Sequence, residues 1–525
     1  MPRVLISDPM SACAREAFAR RGIAVDERSG LAPPQLAAAI ADYDGLAVRS
    51  ATKVTAELLA DSGRLRVIGR AGIGVDNIDI GAATAKGIVV MNAPFGNAIT
   101  TAEHTVAMMF AVARQIGAAN ASTHAGRWEK SRFMGVELSG KCLGIVGCGN
   151  IGSIVAERAQ ALKMHVVAYD PYLTAERAAG LGIEKLELDG LLARADVISL
   201  HAPLTDATRG IIDDAAIAKT RPGVFIVNCA RGGLVVESDL KAAIEDGHVA
   251  GAGLDVFADE PATDNVLFGM DQVVLTPHLG ASTTEAQEKV ALQIAEQMSD
   301  YLLAGAVANA LNLPSVSAEE APRLRPYMSL VGQLGSLIGQ LADRALKEVA
   351  IAYEGSVAGL NTRPLTQVAL AGLLDRQLEN VNMVNAPAVA EERGIGVSEI
   401  TRSVAGDYQN VVRLRVGLEE GELSVAGTLF SDQHPRVVEI NGIAVEAELG
   451  ANMLYVTNED RPGFIGGLGT TLGDAGVNIA TFHLGRIDRG GEALALIELD
   501  EPIPDQVLDA VRALPHVREA KALRQ

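Results

Sequence analysis

From Val4 to about Leu311, short β-branched runs alternate with alanine-rich stretches of helical period. This is the rhythm of a parallel sheet joined by crossover helices. VLISD (4–8), GLAV (45–48), LRVI (65–68) and IVVM (88–91) predict the strands of a first α/β unit. From Thr100, TTAEHTVAMMFAVARQI sets Val106, Met109, Phe110 and Ala113 on one face and predicts a helix leading into a second unit. That unit runs through KCLGIVGCGNIGS, HVVAYD, DVISLHAP, VFIVNCARGG, AGAGLDVF and VVLTPHLGAS, each a predicted strand and turn. The helical stretch from Thr283 to Leu303 is long enough to return to the first unit. At Asn312, NLPSVSAEEAPRLRPY carries Pro314, Pro322 and Pro326 and predicts a linker. Helical periodicity from Met328 to Ala342 follows, then short strands and loops to about Leu449. From Met453 the pattern is strand, turn, helix, strand, strand, helix, a small α+β module.

A chain of 525 residues corresponds to three or four domains at about 150 residues each. Hydrophobic residues at 48% and charged residues at 21% are the balance of a folded globular protein. Lys+Arg 45 against Asp+Glu 65 gives a net charge of -20, which repels nucleic acid and anionic membrane, so neither is expected as a partner. The start, MPRVLISDPM, lacks a signal-like apolar core, and no apolar run is long enough to span a bilayer. A cytoplasmic protein is expected. Cys13, Cys142, Cys148 and Cys229 form no CxxC pair, and no HxxxH or HExxH spacing occurs, so no metal is expected.

Gly147, Gly149 and Gly152 form GCGNIG between an apolar run and a helical segment. The first glycine permits a tight turn, the second admits a pyrophosphate to the backbone, and the third lets helix and strand pack closely. The next predicted strand ends in Asp170, placed to accept hydrogen bonds from a ribose, and no nearby Arg or Lys awaits a 2′-phosphate. NAD is the cofactor this predicts. The glycines of RAGIGVD and GFIGGLGTTLG lack that context and are expected to serve turns or close packing.

Arg231 in NCARGG, Glu260 in DVFADEP and His278 in TPHLGAS fall just past the ends of later strands, where an open parallel sheet places its ligands. Removing a hydride from a secondary alcohol requires a base for the hydroxyl proton, and His278 suits it. Glu260 would fix the imidazole tautomer, and Arg231 offers a planar fork to a substrate carboxylate. Singly, each has an ordinary alternative: a surface ion pair for Arg231, a turn cap for Glu260, a satisfied loop residue for His278. His104 is expected to be a core histidine, and His201 to line the cofactor site.

Taken together, VRSATKVT, GRAGIGVDNID, NAPFGNAITTAEH, GCGNIG, NCARGG, LDVFADEP and PHLGAST resemble the D-2-hydroxyacid dehydrogenases. Across essentially the whole chain the similarity is to the long-form phosphoglycerate dehydrogenases within that family. The resemblance implies an α/β fold: a flavodoxin-like substrate-binding domain over 1–98 and 283–311, and a Rossmann NAD-binding domain inserted at 99–282. It further implies an α+β allosteric substrate-binding-like domain over 315–449 and a ferredoxin-like ACT regulatory domain over 453–525. Carried over by motif, Arg231, Glu260 and His278 are catalytic. Cofactor contacts fall at Ile73, Asn150, Ile151, Asp170, Ala202, Cys229, Ala230, Arg231, Asp255, His278, Gly280 and Ala281, beside the three glycines. Ala202 stands where some relatives have Thr.

For a substrate phosphate the candidates are Arg49, then Arg70 and Asn97, with surface charge or turn polarity as their alternative. NEDRPGFIGGLGTTLGDAGVNIATFHLGR is similar to the ACT domain, which implies that Asp460 and Asn478, with Asn458, hold L-serine. Asn458 departs from the His or Tyr of relatives. The activity implied is NAD-dependent oxidation of 3-phospho-D-glycerate to 3-phosphooxypyruvate, the first step of L-serine biosynthesis, in a homo-oligomer, a dimer of dimers. The alternatives are a reductase of glyoxylate, hydroxypyruvate or 2-oxoglutarate, and, in another class, a dinucleotide-sensing binding protein.

Overall fold

The first sheet contains five parallel strands, Arg3–Ile6, Ala24–Glu27, Gly45–Val48, Val67–Arg70 and Val89–Asn92, in spatial order 2-1-3-4-5. Numbered from 1 to 525, the computed structural model describes every residue except 95, 318, 376, 377, 379, 380, 405 and 525. Four of the five strands are almost wholly buried because helices cover both faces. Ala24–Glu27 lies at the edge, half-exposed and acidic, and for that reason gives no apolar run by which to predict it. The helix Thr284–Ala304 returns to this sheet: Val290, Ile294, Ala295, Met298 and Leu302 join the core formed by Val4, Val67 and Val89. Met298 is fully enclosed, a burial worth roughly 1.5–3 kcal/mol.

The second sheet has seven parallel strands, Cys142–Val146, His165–Tyr169, Glu184–Lys185, Val197–Leu200, Val224–Asn228, Val249–Leu254 and Val273–Leu275. Their spatial order is 7-6-5-4-1-2-3, a doubly wound nucleotide-binding topology. Glu184–Lys185, an exposed edge pair, is again absent from the pattern-based expectation. The helix Ala98–Ala113 packs Met108 and Val112 against Gly253 and Gly251 on this sheet.

The predicted linker is not a free tether. Val307 bridges Val316, Leu311 N–H donates to Val90 O at 2.8 Å, and the Asn312 side chain bonds Val90, Ile88 and Thr84. Pro322 and Pro326 lie inside the helix Ala321–Leu341. Pro322 occupies the first turn, where its missing N–H costs nothing, and Pro326 removes a single ladder bond that burial of Leu324 and Tyr327 outweighs. Helix Arg363–Asp375 crosses this helix so closely that a Cβ at Gly335 would lie 2.3 Å from Ala369 O. The pair covers a six-stranded mixed sheet, 346–355, 396–402, 410–418, 422–430, 434–440 and 443–447, in order 2-1-3-4-5-6.

The last unit is strand, helix, strand, strand, helix, strand, with strand order 2-3-1-4 over Asn452–Glu459, Ile479–Arg486, Glu492–Leu499 and Val517–Arg524. The closing strand corrects the expectation of a terminal helix; its sequence, VREAKALR, is half charged and carries no apolar run.

Candidate active site

Both α/β sheets place polar loops at the switch points where their strand order reverses. In the second sheet this is between Cys142–Val146 and Val197–Leu200. Gly147 has φ +90°, and a Cβ there would strike the His201 carbonyl carbon and oxygen at 2.8 Å. A Cβ at Gly152 would sit 2.2 Å from Gly147 O, whereas one at Gly149 would meet nothing within 4 Å. The turn is therefore tight on its protein side and open at Gly149, with Asn150 and Ile151 starting the helix Asn150–Ala161. That is a cradle for a pyrophosphate at a helix N-terminus. Asp170 follows the next strand as expected, and its carboxylate accepts from Cys148 N–H and Tyr172 N–H, both at 2.8 Å. It braces the glycine turn and keeps lone pairs for a ribose. Ala202 abuts Gly147. His201 is half-buried, and desolvation of its ring pushes its imidazole down to about 4.

Across the sheet, the Asn228 side chain accepts from Ala230 N–H at 3.0 Å and donates to Arg231 O at 2.8 Å, fixing the Cys229–Arg231 loop. Cys229 is buried, which pushes its thiol up to about 12. His278 sits in the left-handed region at φ +55°, where a non-glycine residue is held only by its surroundings. The holding group is Asp255. Its main-chain oxygen accepts from His278 N–H at 2.8 Å, and its carboxylate accepts from Leu279 N–H at 2.7 Å, Gly280 N–H at 2.8 Å and the Thr276 hydroxyl at 2.6 Å. Burial alone would raise the Asp255 pKa, but hydrogen bonds from His104, Thr276 and Leu279 outweigh it and hold the carboxyl below its ordinary value. His104 is thus no inert core histidine: its Nε2 lies 3.2 Å from both Asp255 Oδ1 and Thr276 Oγ1. His104, Cys229 and Asp255 bring three donor atoms within 4.8 Å of one another. The carboxylate there is committed to the His278 loop.

His278 Nδ1 and Glu260 Oε2 are 2.7 Å apart, and Glu260 Oε1 accepts from Phe257 N–H at 3.0 Å. Burial would raise Glu260, but the bonds from His278 and Phe257 prevail and leave it ionised at neutral pH. An ionised partner at Nδ1 places the proton there and leaves Nε2 as the basic nitrogen.

This pair borders a cavity of about 880 Å³ whose opposite wall is the first sheet. Arg49, Arg70 and Asn97 line it, as does Ala281. The cavity opens at the switch point between strands Arg3–Ile6 and Gly45–Val48. There buried Asp8 accepts from Arg49 N–H at 2.6 Å, Thr52 N–H at 3.2 Å and the Thr52 hydroxyl at 2.6 Å. Arg70 Nε and Asn97 Oδ1 are buried without hydrogen-bond partners. Burial and the neighbouring Arg231 push the Arg70 guanidinium down to about 10, the mark of positive charge awaiting an anion. Arg231 itself bonds Asp76 Oδ2 at 2.8 Å and Ala230 O at 2.7 Å, and Asp76 rather than Arg231 lines the cavity. The glycines of RAGIGVD are close-packing residues: a Cβ at Gly74 would overlap the Arg231 guanidinium at 1.6 Å, and Ile73 O accepts from Asn92 Nδ2 at 2.6 Å.

Lys53 also lines the cavity and was not singled out in the sequence, although it stands four residues after Arg49 in the same motif. Asp8, Asp76 and Asn228 likewise had one legible signal, a polar residue directly at a strand end or turn. In the last unit, Asp460 accepts from Arg486 at 2.7 Å and Gly490 N–H at 2.9 Å, and Asn478 donates to Asp500 at 2.6 Å. Asn458 is buried, with Nδ2 on Glu459 O. No hydrogen bond joins any two of these three among the described residues.

The chain matches family models described as D-isomer specific 2-hydroxyacid dehydrogenase, NAD binding domain, over residues 106–280; D-3-phosphoglycerate dehydrogenase intervening domain, over 323–441; and ACT domain, over 452–516. It is 42% identical to D-3-phosphoglycerate dehydrogenase of Bacillus subtilis, covering 92% of each chain. Identity to the enzyme of that name from Methanocaldococcus jannaschii is 39% over all of both chains. The solved TT0316 protein of Thermus thermophilus superposes with a TM-score of 0.53 at 32% identity, covering 59% of this chain and 99% of that one. A Rossmann-type NAD-binding unit, an intervening unit and an ACT unit in one chain, with that identity along its length, make it a member of the D-3-phosphoglycerate dehydrogenase family.

Proposed function

We propose that this chain oxidises the C2 hydroxyl of 3-phospho-D-glycerate to 3-phosphooxypyruvate, the first step of L-serine biosynthesis. NAD, which the GCGNIG turn and Asp170 are shaped to hold, supplies the hydride acceptor when bound. His278 Nε2 takes the hydroxyl proton, and Glu260 orients the ring and stabilises the imidazolium. Arg231, whose ion pair with Asp76 keeps it out of the cavity lining, is the group offered to the substrate carboxylate once that pair opens, and Arg49, Arg70, Lys53 and Asn97 receive the phosphate. The observation that carries this reading is the 2.7 Å His278–Glu260 pair on one wall of a cavity whose other wall holds Arg49, Lys53 and Arg70, with Asp76 there paired to Arg231 and Asp79 capping a helix. A chain of net charge -20 that gathers three cations in one cavity favours a phosphorylated acid over glyoxylate.

The same reading extends to a cytoplasmic homo-oligomer, a dimer of dimers, with L-serine bound near Asp460 and Asn478. Supporting it are the ACT match and the exposed Trp128 and Met134 in the segment that follows helices Ala98–Ala113 and Ile116–His124. Among the described residues no helix is long and apolar enough to cross a membrane. The test is NADH formation at 340 nm from NAD and 3-phosphoglycerate, with and without serine, beside His278→Ala. Turnover lost in the variant is expected. Turnover of glyoxylate or unphosphorylated hydroxypyruvate but not of the phosphorylated pair would overturn the substrate, and serine without effect would overturn the regulatory reading.

A further inference from the structure

A second cavity, of about 600 Å³, opens on the third unit and shares no lining residue with the active site. Its apolar side is formed by Leu370 of helix Arg363–Asp375, Pro387 of helix Ala386–Glu392, and Ile395 and Val397 beyond it. Its charged groups are Glu399, whose carboxylate accepts from the Thr362 hydroxyl at 3.0 Å, and two of opposite sign, Arg363 at the start of the first of these helices and Glu391 near the end of the second. Neither of the latter two side chains has a hydrogen-bond or ion-pair partner among the described residues. Gln367 also lines the cavity, four residues after Arg363 and so on the same helix face. Its Oε1 is buried with no donor, a state that costs free energy until something donates to it.

An unpaired cation, an unpaired carboxylate and an unsatisfied carbonyl around an apolar wall are complementary to a small zwitterion. We propose that this cavity binds an α-amino acid with an aliphatic side chain and that its occupancy is felt at the substrate cavity. The carboxylate pairs with Arg363, the ammonium donates to Gln367 Oε1 and Glu391, and the side chain covers Leu370 and Val397. Serine would leave that apolar wall wet, so this site is distinct in chemistry from a serine sensor.

The route to the active site is short and made of direct contacts. Immediately before helix Ala386–Glu392, Asn382 Nδ2 donates to Gly87 O at 3.1 Å and Asn385 Nδ2 to Ala85 O at 3.2 Å. A Cβ at Gly87 would lie 1.9 Å from Asn382 Nδ2, so the two units interlock there. Those carbonyls close the helix Ile80–Ala85, whose N-cap, Asp79, lines the active-site cavity together with Asp76, the partner of Arg231. A ligand that draws in Glu391 moves a helix clasped to the far end of the element that carries the substrate loop.

Calorimetric titration of the full chain with L-leucine tests the site without any reliance on turnover. Saturable binding of one leucine per chain is expected, with 4-methylpentanoate and 3-methylbutylamine, which lack the ammonium and the carboxylate, at least about tenfold weaker. Arg363→Ala is expected to weaken leucine about tenfold, and Val397→Trp, which fills an exposed side of the cavity, to abolish binding. No saturable heat with leucine up to about 10 mM, or binding indifferent to both substitutions, would overturn the proposal. For the coupling, leucine is expected to change the KM for 3-phosphoglycerate at least twofold in the native chain. Asn382→Ala should keep leucine binding yet lose that effect; an unchanged native KM, or a variant that still responds, would overturn it.

Discussion

At the scale of single residues, the group that most governs the active site is one that no ligand need touch. Asp255 is fully enclosed and holds His278 in a left-handed backbone state through three main-chain N–H groups. Asp255→Asn turns one acceptor oxygen into a donor facing the Leu279 or Gly280 N–H, a cost of about 1–3 kcal/mol. Steady-state kinetics should show kcat at least about tenfold lower; an unchanged kcat would mean the loop holds itself. The same carboxylate sets an acid limit. Glu260 and Asp255 are held below their ordinary values of 4.5 and 3.8, so the stability they contribute is complete above those values and lost as pH falls through the lower, folded-state ones. Melting temperature should therefore fall more steeply between about pH 5 and pH 3 in the native chain than in Asp255→Asn, and parallel curves would contradict the assignment. Arg70 behaves in the opposite way. It is a half-buried cation with a buried, unpartnered Nε beside Arg231, so Arg70→Met should leave the melting temperature equal or higher while raising the KM for 3-phosphoglycerate about 10–100-fold. Equal losses of stability and affinity would make Arg70 structural.

Among secondary-structure elements, those buried on both faces were legible and those at the margins were not. Runs such as LGIV, VISL and VFIVN become fully or nearly fully buried strands because nothing but a two-sided core accommodates them. Ala24–Glu27, Glu184–Lys185 and Val517–Arg524 lie at sheet edges, where polarity is tolerated and pattern fades. Pro322 and Pro326 suggested a linker because local propensity speaks against a helix that only the burial of Leu324, Tyr327 and Leu330 explains. The glycine contacts between helices Ala321–Leu341 and Arg363–Asp375 are equally tertiary. Gly335→Val should force the pair apart, at a cost of about 1–3 kcal/mol by denaturant unfolding, with kcat for the dehydrogenase reaction within twofold of native. No loss of stability would show that the helices have room to separate.

On the scale of the whole molecule, two α/β units present their switch points to one cleft, and it is that arrangement which brings Arg49, Lys53 and Arg70 opposite His278 and Glu260. The His278–Glu260 contact and the glycine turn were legible because their chemistry dictates residue type and spacing. Asp8 and Asp76 showed only a polar residue at a strand end or turn, and their partners, like those of His104, appear only when distant segments meet. The charge distribution has a further consequence: a -20 chain that sets Arg49, Lys53 and Arg70 at one cavity should bind its anionic substrate less well as salt rises. On the proposed reading, the wall that holds Arg49, Lys53 and Arg70 selects a phosphorylated substrate for the His278 base. The most direct measurement is kcat/KM for 3-phosphoglycerate relative to D-glycerate in the native chain and in the double variant Arg49→Ala/Arg70→Ala. A native preference of at least about 100-fold that collapses toward unity in the variant is expected; a native chain that prefers D-glycerate, or a preference untouched by the double substitution, would contradict it.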